Sequence, residues 1–307
     1  VRRKIFIMSI IKGIIPPILT PMNDDESINE AELRHQVNRM IAAGVSGVFA
    51  LGTNGEAYAL SHKEKVQVLK IVVDETKKRV PVYAGTGCPT TKETITLSKE
   101  AEEIGADVLS VIVPYFAAAS QDELYDHFKT VAESVKIPVV LYNIPARTGN
   151  ALAPATVAKL AKDIANISGA KDSSGNFDNM KQYIELTSGI GKEFSVLSGN
   201  DSLILPALVF GGKGGIAGCA NVFPRTMVEI YEAFTAGDME RAKKVQDSIR
   251  IFRNCFKYGN PNTIVKMAAG LLGNPVGPCR RPFSKITPEG LEALKKTLEL
   301  CKANGLH

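Results

Sequence analysis

Lys171 closes a short apolar run, Ile167-Ser168-Gly169-Ala170, and the small-residue stretch Asp172-Ser173-Ser174-Gly175 follows at once. Burying an ammonium is costly, and a lysine desolvated inside an apolar layer spends part of its time as the free amine. A free amine attacks a ketone and forms a Schiff base. A lysine at a strand end also has an ordinary use, with its stem on apolar surface and its charge in water. What favours chemistry is the company it keeps. Tyr142 ends the apolar run 138–142, and Arg147 lies just beyond it. Thr53, Asn54 and Glu56 follow the run 45–50, Tyr115 follows 108–113, and Ile216 lies in 214–217.

A tyrosine carries protons, a threonine orients the tyrosine, and an arginine grips a carboxylate through two parallel N–H groups. With lysine as the nucleophile, these are the parts of a Schiff-base lyase. Each also has a structural use by itself. Tyr142 suits an interior site with a satisfied hydroxyl, Thr53 suits a turn, and Arg147 suits a surface ion pair of little worth. Gly52 and Gly55 are good turn residues whatever the function. The separate uses leave unexplained why the set falls at the ends of several apolar runs.

Competing chemistries lack their residues. No glycine-rich phosphate loop and no paired carboxylates stand at these positions. The net charge is +5, with Lys and Arg spread along the chain, so the basic stripe of a nucleic-acid binder is missing. None of the four histidines lies in an H-x-x-x-H pattern. Cys88, Cys219, Cys255, Cys279 and Cys301 form no C-x-x-C pair and read as reduced thiols of a cytoplasmic protein without a zinc site. No apolar run reaches the roughly 20 residues of a membrane span. The opening Val1-Arg2-Arg3-Lys4-Ile5-Phe6-Ile7-Met8 has no cleavage site of the secretory kind, and residues 1–12 are expected to form a flexible extension.

The elements that must position these residues follow from periodicity. Strands are expected at 13–19, 45–50, 81–84, 108–113, 138–142, 167–170, 194–197 and 214–217, each short and apolar along its length, as parallel strands covered on both faces are. Helices alternate with them. Asn29 with Glu32, Ser61 with Glu64, Thr90 with Glu93 and Ser120 with Glu123 are helix-start pairs, and Pro154 suits a first turn. Eight such repeats of about 30 residues predict a (β/α)8 TIM barrel over 13–235. Helices at 239–256, 262–272 and 288–303 predict a C-terminal helical extension, 236–307, packed on the barrel. In this fold the active site lies at the C-terminal ends of the strands, where the residues named above fall.

The stretches Gly52-Thr53-Asn54-Gly55-Glu56, Tyr142-Asn143-Ile144-Pro145-Ala146-Arg147-Thr148-Gly149 and Gly169-Ala170-Lys171-Asp172 resemble the signatures of the dihydrodipicolinate synthase / N-acetylneuraminate lyase family. Gly199-Asn200-Asp201 and Asn260-Pro261 through Lys266 extend the resemblance over most of the chain. The resemblance implies a class I, pyruvate-dependent aldolase or synthase, usually a homotetramer, that uses a covalent Schiff base and no metal or organic cofactor. It implies Lys171 as the Schiff-base lysine, Tyr142 as the proton shuttle, and Thr53 with the Asn54 backbone at the pyruvate carboxylate, lined by the Ile216 carbonyl. It implies Arg147 as the group that holds the carboxylate of aspartate semialdehyde, whereas the N-acetylneuraminate lyase branch resembles Pro-Ala-Leu there.

Two residues depart from the synthase pattern. Asn54 stands where that pattern has a second threonine, and Phe116 stands where it has a tyrosine that reaches a neighbouring subunit. The leading expectation is a 4-hydroxy-tetrahydrodipicolinate synthase-like activity of lysine and diaminopimelate biosynthesis. The alternatives are an aldolase or dehydratase for a 2-keto-3-deoxy sugar acid or 4-hydroxy-2-oxoglutarate, and a non-catalytic barrel that binds keto acids.

Overall fold

A computed structural model describes residues 11–307, so most of the expected N-terminal extension, residues 1–10, lies outside the described residues. The chain forms two compact units. The first contains Pro81–Ile216, and the second contains Ile14–Val80 with Ala217–His307.

The first unit carries β3 to β8. These are β3 (Val82–Gly85), β4 (Val108–Ile112), β5 (Val139–Asn143), β6 (Ile167–Asp172), β7 (Ser195–Ser198) and β8 (Gly214–Gly215). They lie side by side in chain order, every pair parallel. Nearly every strand residue is buried, because helices cover one face and the other faces inward. Helices Thr91–Ile104, Gln121–Glu133, Pro154–Asp163 and Phe177–Thr187 connect the strands. Pro154–Asp163 starts with a proline at its first position, and at the other three starts a side chain supplies a partner that the first helical turn lacks. Ser120 and Glu123 bond reciprocally, Thr90 accepts from the Glu93 N–H, and Asn176 accepts from Asp178 and Asn179. Leu124, Phe128 and Val131 then recur at helical spacing on the buried face.

The second unit carries β2 (Val48–Ala50) and most of the run that starts with β1 (Gly13–Ile14). Helix Glu30–Ala42 is capped by Asn29, and helix His62–Thr76 by the Ser61–Glu64 box. The same unit holds the C-terminal helices Pro224–Thr235, Met239–Ser248, Arg250–Arg253, Pro261–Leu271 and Pro288–Ala303.

Several expected elements are shorter than their apolar runs, and β2 spans only Val48–Ala50 of the expected 45–50. β1 stops at Ile14 because Pro16 and Pro17 have no N–H to give a ladder, and only an isolated bridge from Pro17 to Phe49 continues the pairing. β8 is two residues long, although the Ile216 N–H still bonds to the Ser198 carbonyl at 2.8 Å. The helix expected over 239–256 breaks at Ser248, whose hydroxyl donates to the Val245 carbonyl at 2.7 Å, and resumes as a short turn and a 3-10 segment, Asn254–Tyr258. Taken in chain order, the eight strands and their helices are the repeat of a (β/α)8 barrel with a helical C-terminal extension.

Candidate active site

β6 runs two residues further than its apolar pattern, so Lys171 lies inside the strand rather than just past it. Its direct partner on β5 is Tyr142. Partners at one register of adjacent parallel strands project from the same face of the sheet. Lys171 and Tyr142 are each 3% exposed, and the lysine Nζ sits 3.7 Å from the centre of the tyrosine ring. Both side chains are therefore withdrawn from water.

The next register pair, Asn143 and Asp172, projects to the opposite face and ties down the loops that follow. Asn143 Nδ2 donates to Asp172 Oδ1 at 2.9 Å, and the Leu152 N–H donates to Asn143 Oδ1 at 3.0 Å. Ser174 donates its N–H to Asp172 Oδ1 and its hydroxyl to Asp172 Oδ2. These bonds fix the ends of β5 and β6, and so the two side chains one residue earlier. The supporting role of Asn143 and Asp172 is missed by sequence reasoning, although strict alternation along both strands is the signal that could have found it.

Gly199 and Ser173 complete the surroundings of the lysine. The Gly199 N–H bonds to the Asp172 carbonyl at 2.8 Å. A Cβ on Gly199 would stand 2.9 Å from Lys171 Cε and 1.8 Å from Ser173 Oγ. Only glycine lets the backbone pass so close to the lysine. Ser173 Oγ is buried without a hydrogen-bond partner among the described residues.

The other predicted residues of this unit lie on the segments that follow the strands. Ile216 is 1% exposed and directly follows β8. Arg147 lies on the short helix Pro145–Thr148, exposed, and among the described residues it has no ion-pair partner. The surface ion pair considered for it is not found among the described residues. Tyr115 is half-buried, and burial, with lesser help from Cys88 and Glu93, pushes its hydroxyl above the usual tyrosine range. Phe116 beside it is 101% exposed at φ +81°, its loop pinned by Asn150, whose Nδ2 donates to the Pro114 and Ala117 carbonyls at 2.8 Å each.

Thr53 and Asn54 lie together, half-buried, in the turn after β2. The Thr53 carbonyl accepts from Asn262 Nδ2 at 2.7 Å and from the Glu56 N–H at 3.1 Å. Glu56, expected beside them, is wholly buried instead, and its carboxylate meets Lys266 Nζ at 2.5 Å. All five cysteines are free and buried. Among the described residues no group of three or more His, Cys, Asp or Glu is placed to hold a metal, and no helix is long and apolar enough to cross a membrane.

The sequence model of the dihydrodipicolinate synthetase family matches residues 10–301. A 4-hydroxy-tetrahydrodipicolinate synthase of Methanopyrus kandleri is 44% identical over 291 residues, 94% of this chain and 96% of its own. The crystal structure of a dihydrodipicolinate synthase from Aquifex aeolicus superposes with a TM-score of 0.90 at 33% identity, covering 96% of this chain and 98% of its own. A prophage protein of the dihydrodipicolinic acid synthase family from E. coli K12, solved in complex with pyruvate, superposes with a TM-score of 0.91 at 33% identity, covering 95% and 98%.

Proposed function

This chain belongs to the dihydrodipicolinate synthetase family, and we propose that it is a class I, pyruvate-dependent Schiff-base synthase that condenses pyruvate with aspartate semialdehyde. The observation that carries the reading is the buried pairing of Lys171 with Tyr142 across β5 and β6. The lysine amine attacks the keto carbon of pyruvate, and loss of water leaves an iminium. Loss of a proton from the adjacent methyl carbon gives an enamine. The enamine carbon attacks the aldehyde carbon, a carbon–carbon bond forms, and the aldehyde oxygen takes a proton. Tyr142 is the group that carries protons through these steps.

Thr53 and the Asn54 N–H hold the pyruvate carboxylate, the Ile216 carbonyl lines that site, and Arg147 holds the carboxylate of the aldehyde. The exposed, unpaired guanidinium of Arg147 supports its part, because a guanidinium free of protein partners is available to a ligand. The chemistry uses the lysine itself as the covalent group, so no metal or organic cofactor enters it. Five buried thiols support a cytoplasmic site of action, and the wholly exposed Phe116 supports burial against a second copy in a homotetramer.

The test is a screen of aldehydes with pyruvate and purified protein, joined to borohydride trapping. Fastest condensation with aspartate semialdehyde and a pyruvate adduct mapped to Lys171 are expected. Preference for uncharged or sugar-acid aldehydes would replace the synthase by an aldolase of that class. Absence of any adduct would leave a keto-acid-binding barrel.

A further inference from the structure

The turn that carries Thr53 and Asn54 is held by a helix more than two hundred residues away in the chain, through contacts the proposed reaction does not use. Asn262, in the first turn of helix Pro261–Leu271, donates Nδ2 to the Thr53 carbonyl at 2.7 Å, and the side chain is 2% exposed. The Thr53 carbonyl and the Asn54 N–H belong to one planar peptide and point in opposite directions. A hydrogen bond that fixes the oxygen therefore also fixes the direction of the N–H. It polarises the peptide as well, so the N–H becomes a better donor to an anion.

The rest of the turn is held as firmly. Glu56 has a left-handed backbone, φ +55°, a conformation that a residue with a side chain adopts only at a cost. Its carboxylate is clamped between Lys266 Nζ, 2.5 Å away, and the Arg280 N–H, 2.8 Å away. The Lys266 side chain is 1% exposed and also donates to the Pro278 carbonyl at 2.8 Å. Thr20 donates to the Gly55 carbonyl at 2.6 Å, and a Cβ on Gly55 would meet the Ile18 carbonyl at 2.9 Å. A buried ion pair is a weak source of stability compared with apolar residues of the same volume. What this one supplies is a fixed anchor for the Glu56 end of the turn.

We propose that Asn262 is a positioning residue for the recognition of the pyruvate carboxylate, acting through the Thr53–Asn54 peptide, with the Glu56–Lys266 pair holding the turn in register. The inference rests on the Schiff-base reading above. Asn262 touches no reacting atom and affects binding of the carboxylate rather than formation of the imine.

Borohydride trapping on Lys171 tests this, measured against pyruvate and against acetone, a ketone without the carboxylate. Removing one hydrogen bond behind a charged-ligand contact is expected to raise the half-saturating pyruvate about tenfold in Asn262→Ala. Trapping at saturating pyruvate and the concentration dependence with acetone should stay as in the unaltered protein. Asn262→Gln, which keeps an amide donor, should recover part of the loss. If Asn262→Ala does not fold, Asn262→Ser provides the same comparison with a polar side chain too short to reach the carbonyl. Equal weakening toward both ketones, or an unchanged pyruvate dependence, overturns the inference while Lys171 still traps pyruvate. No adduct on the unaltered protein overturns the Schiff-base reading first, and this inference with it.

Discussion

Lys171 Nζ rests 3.7 Å from the centre of the Tyr142 ring, and the two residues are direct neighbours across a parallel strand pair. The register makes this contact a property of the sheet rather than of two flexible side chains. Tyr142→Phe keeps the ring against the lysine and removes only the hydroxyl. Proton transfer by a positioned group is worth about 10²- to 10⁴-fold. Condensation should fall within that range, with the melting temperature close to that of the unaltered protein. Single-turnover trapping at several pH values checks this, and an unchanged rate would take the proton-carrying role away from Tyr142.

Gly199→Ala places a methyl group where Ser173 Oγ and Lys171 Cε already are, at 1.8 and 2.9 Å. The lysine must move off its register, so borohydride trapping should fall about tenfold or more, since misplacing a reacting group by about 1 Å costs up to 10²-fold. Adding Ser173→Gly removes the nearer obstacle and should restore part of the trapping. A single variant as reactive as the unaltered protein would show that the chain shifts freely there.

Arg147→Ala removes an exposed guanidinium that no described side chain engages. The KM for aspartate semialdehyde should rise by about tenfold to a hundredfold, the worth of a charge-assisted hydrogen bond, while the pyruvate dependence of trapping is unchanged. Steady-state kinetics with each substrate varied in turn separates the two.

Lys266→Met leaves the Glu56 carboxylate buried without its cation. Breaking one side of a buried pair costs about 3–5 kcal/mol, and Glu56→Gln together with Lys266→Met should recover much of it. Denaturant unfolding of the single and double variants measures both. A single variant as stable as the parent would mean that water reaches Glu56.

His127 is 5% exposed, its Nδ1 lies 2.9 Å from the Thr91 hydroxyl, and its Nε2 has no partner among the described residues. Burial lowers its pKa to about 4 from the ordinary 6.5. The folded protein holds the ring neutral, while the unfolded chain takes up a proton as pH falls below 6.5. Stability is thus full above that value, is lost as pH falls from 6.5 toward 4, and levels off below 4, a change of about 3 kcal/mol. His127→Met should flatten the pH dependence of the unfolding free energy over that window. An equal slope in both proteins would assign the acid sensitivity to other groups.

Most of the scaffold is legible in the chain itself. Asn29, Ser61, Thr90, Ser120 and Pro154 stand at helix starts as their local chemistry predicts, and the strand runs place Lys171 and Tyr142 on adjacent strands. Such features depend on neighbours a few residues away, and alternation and capping report them directly. The same local logic overextends β1 and the helix expected over 239–256, because apolarity does not show where a proline or a serine hydroxyl interrupts the backbone bonding.

What the tertiary structure alone decides is the direction taken by the polar side chains around these elements. Glu56 turns to Lys266 and Arg280 rather than standing beside Thr53 and Asn54, and Asn262 reaches the Thr53 carbonyl across 209 positions of sequence. Asp172, one residue past the lysine, faces away from it to bond Asn143 and Ser174. Gly199 is required by two side chains, Ser173 and Lys171, which lie 1.8 and 2.9 Å from where its Cβ would be. A motif names the residue types needed, but charge pairing and close approach depend on which distant backbone segment folding brings alongside, and no local pattern contains that distance.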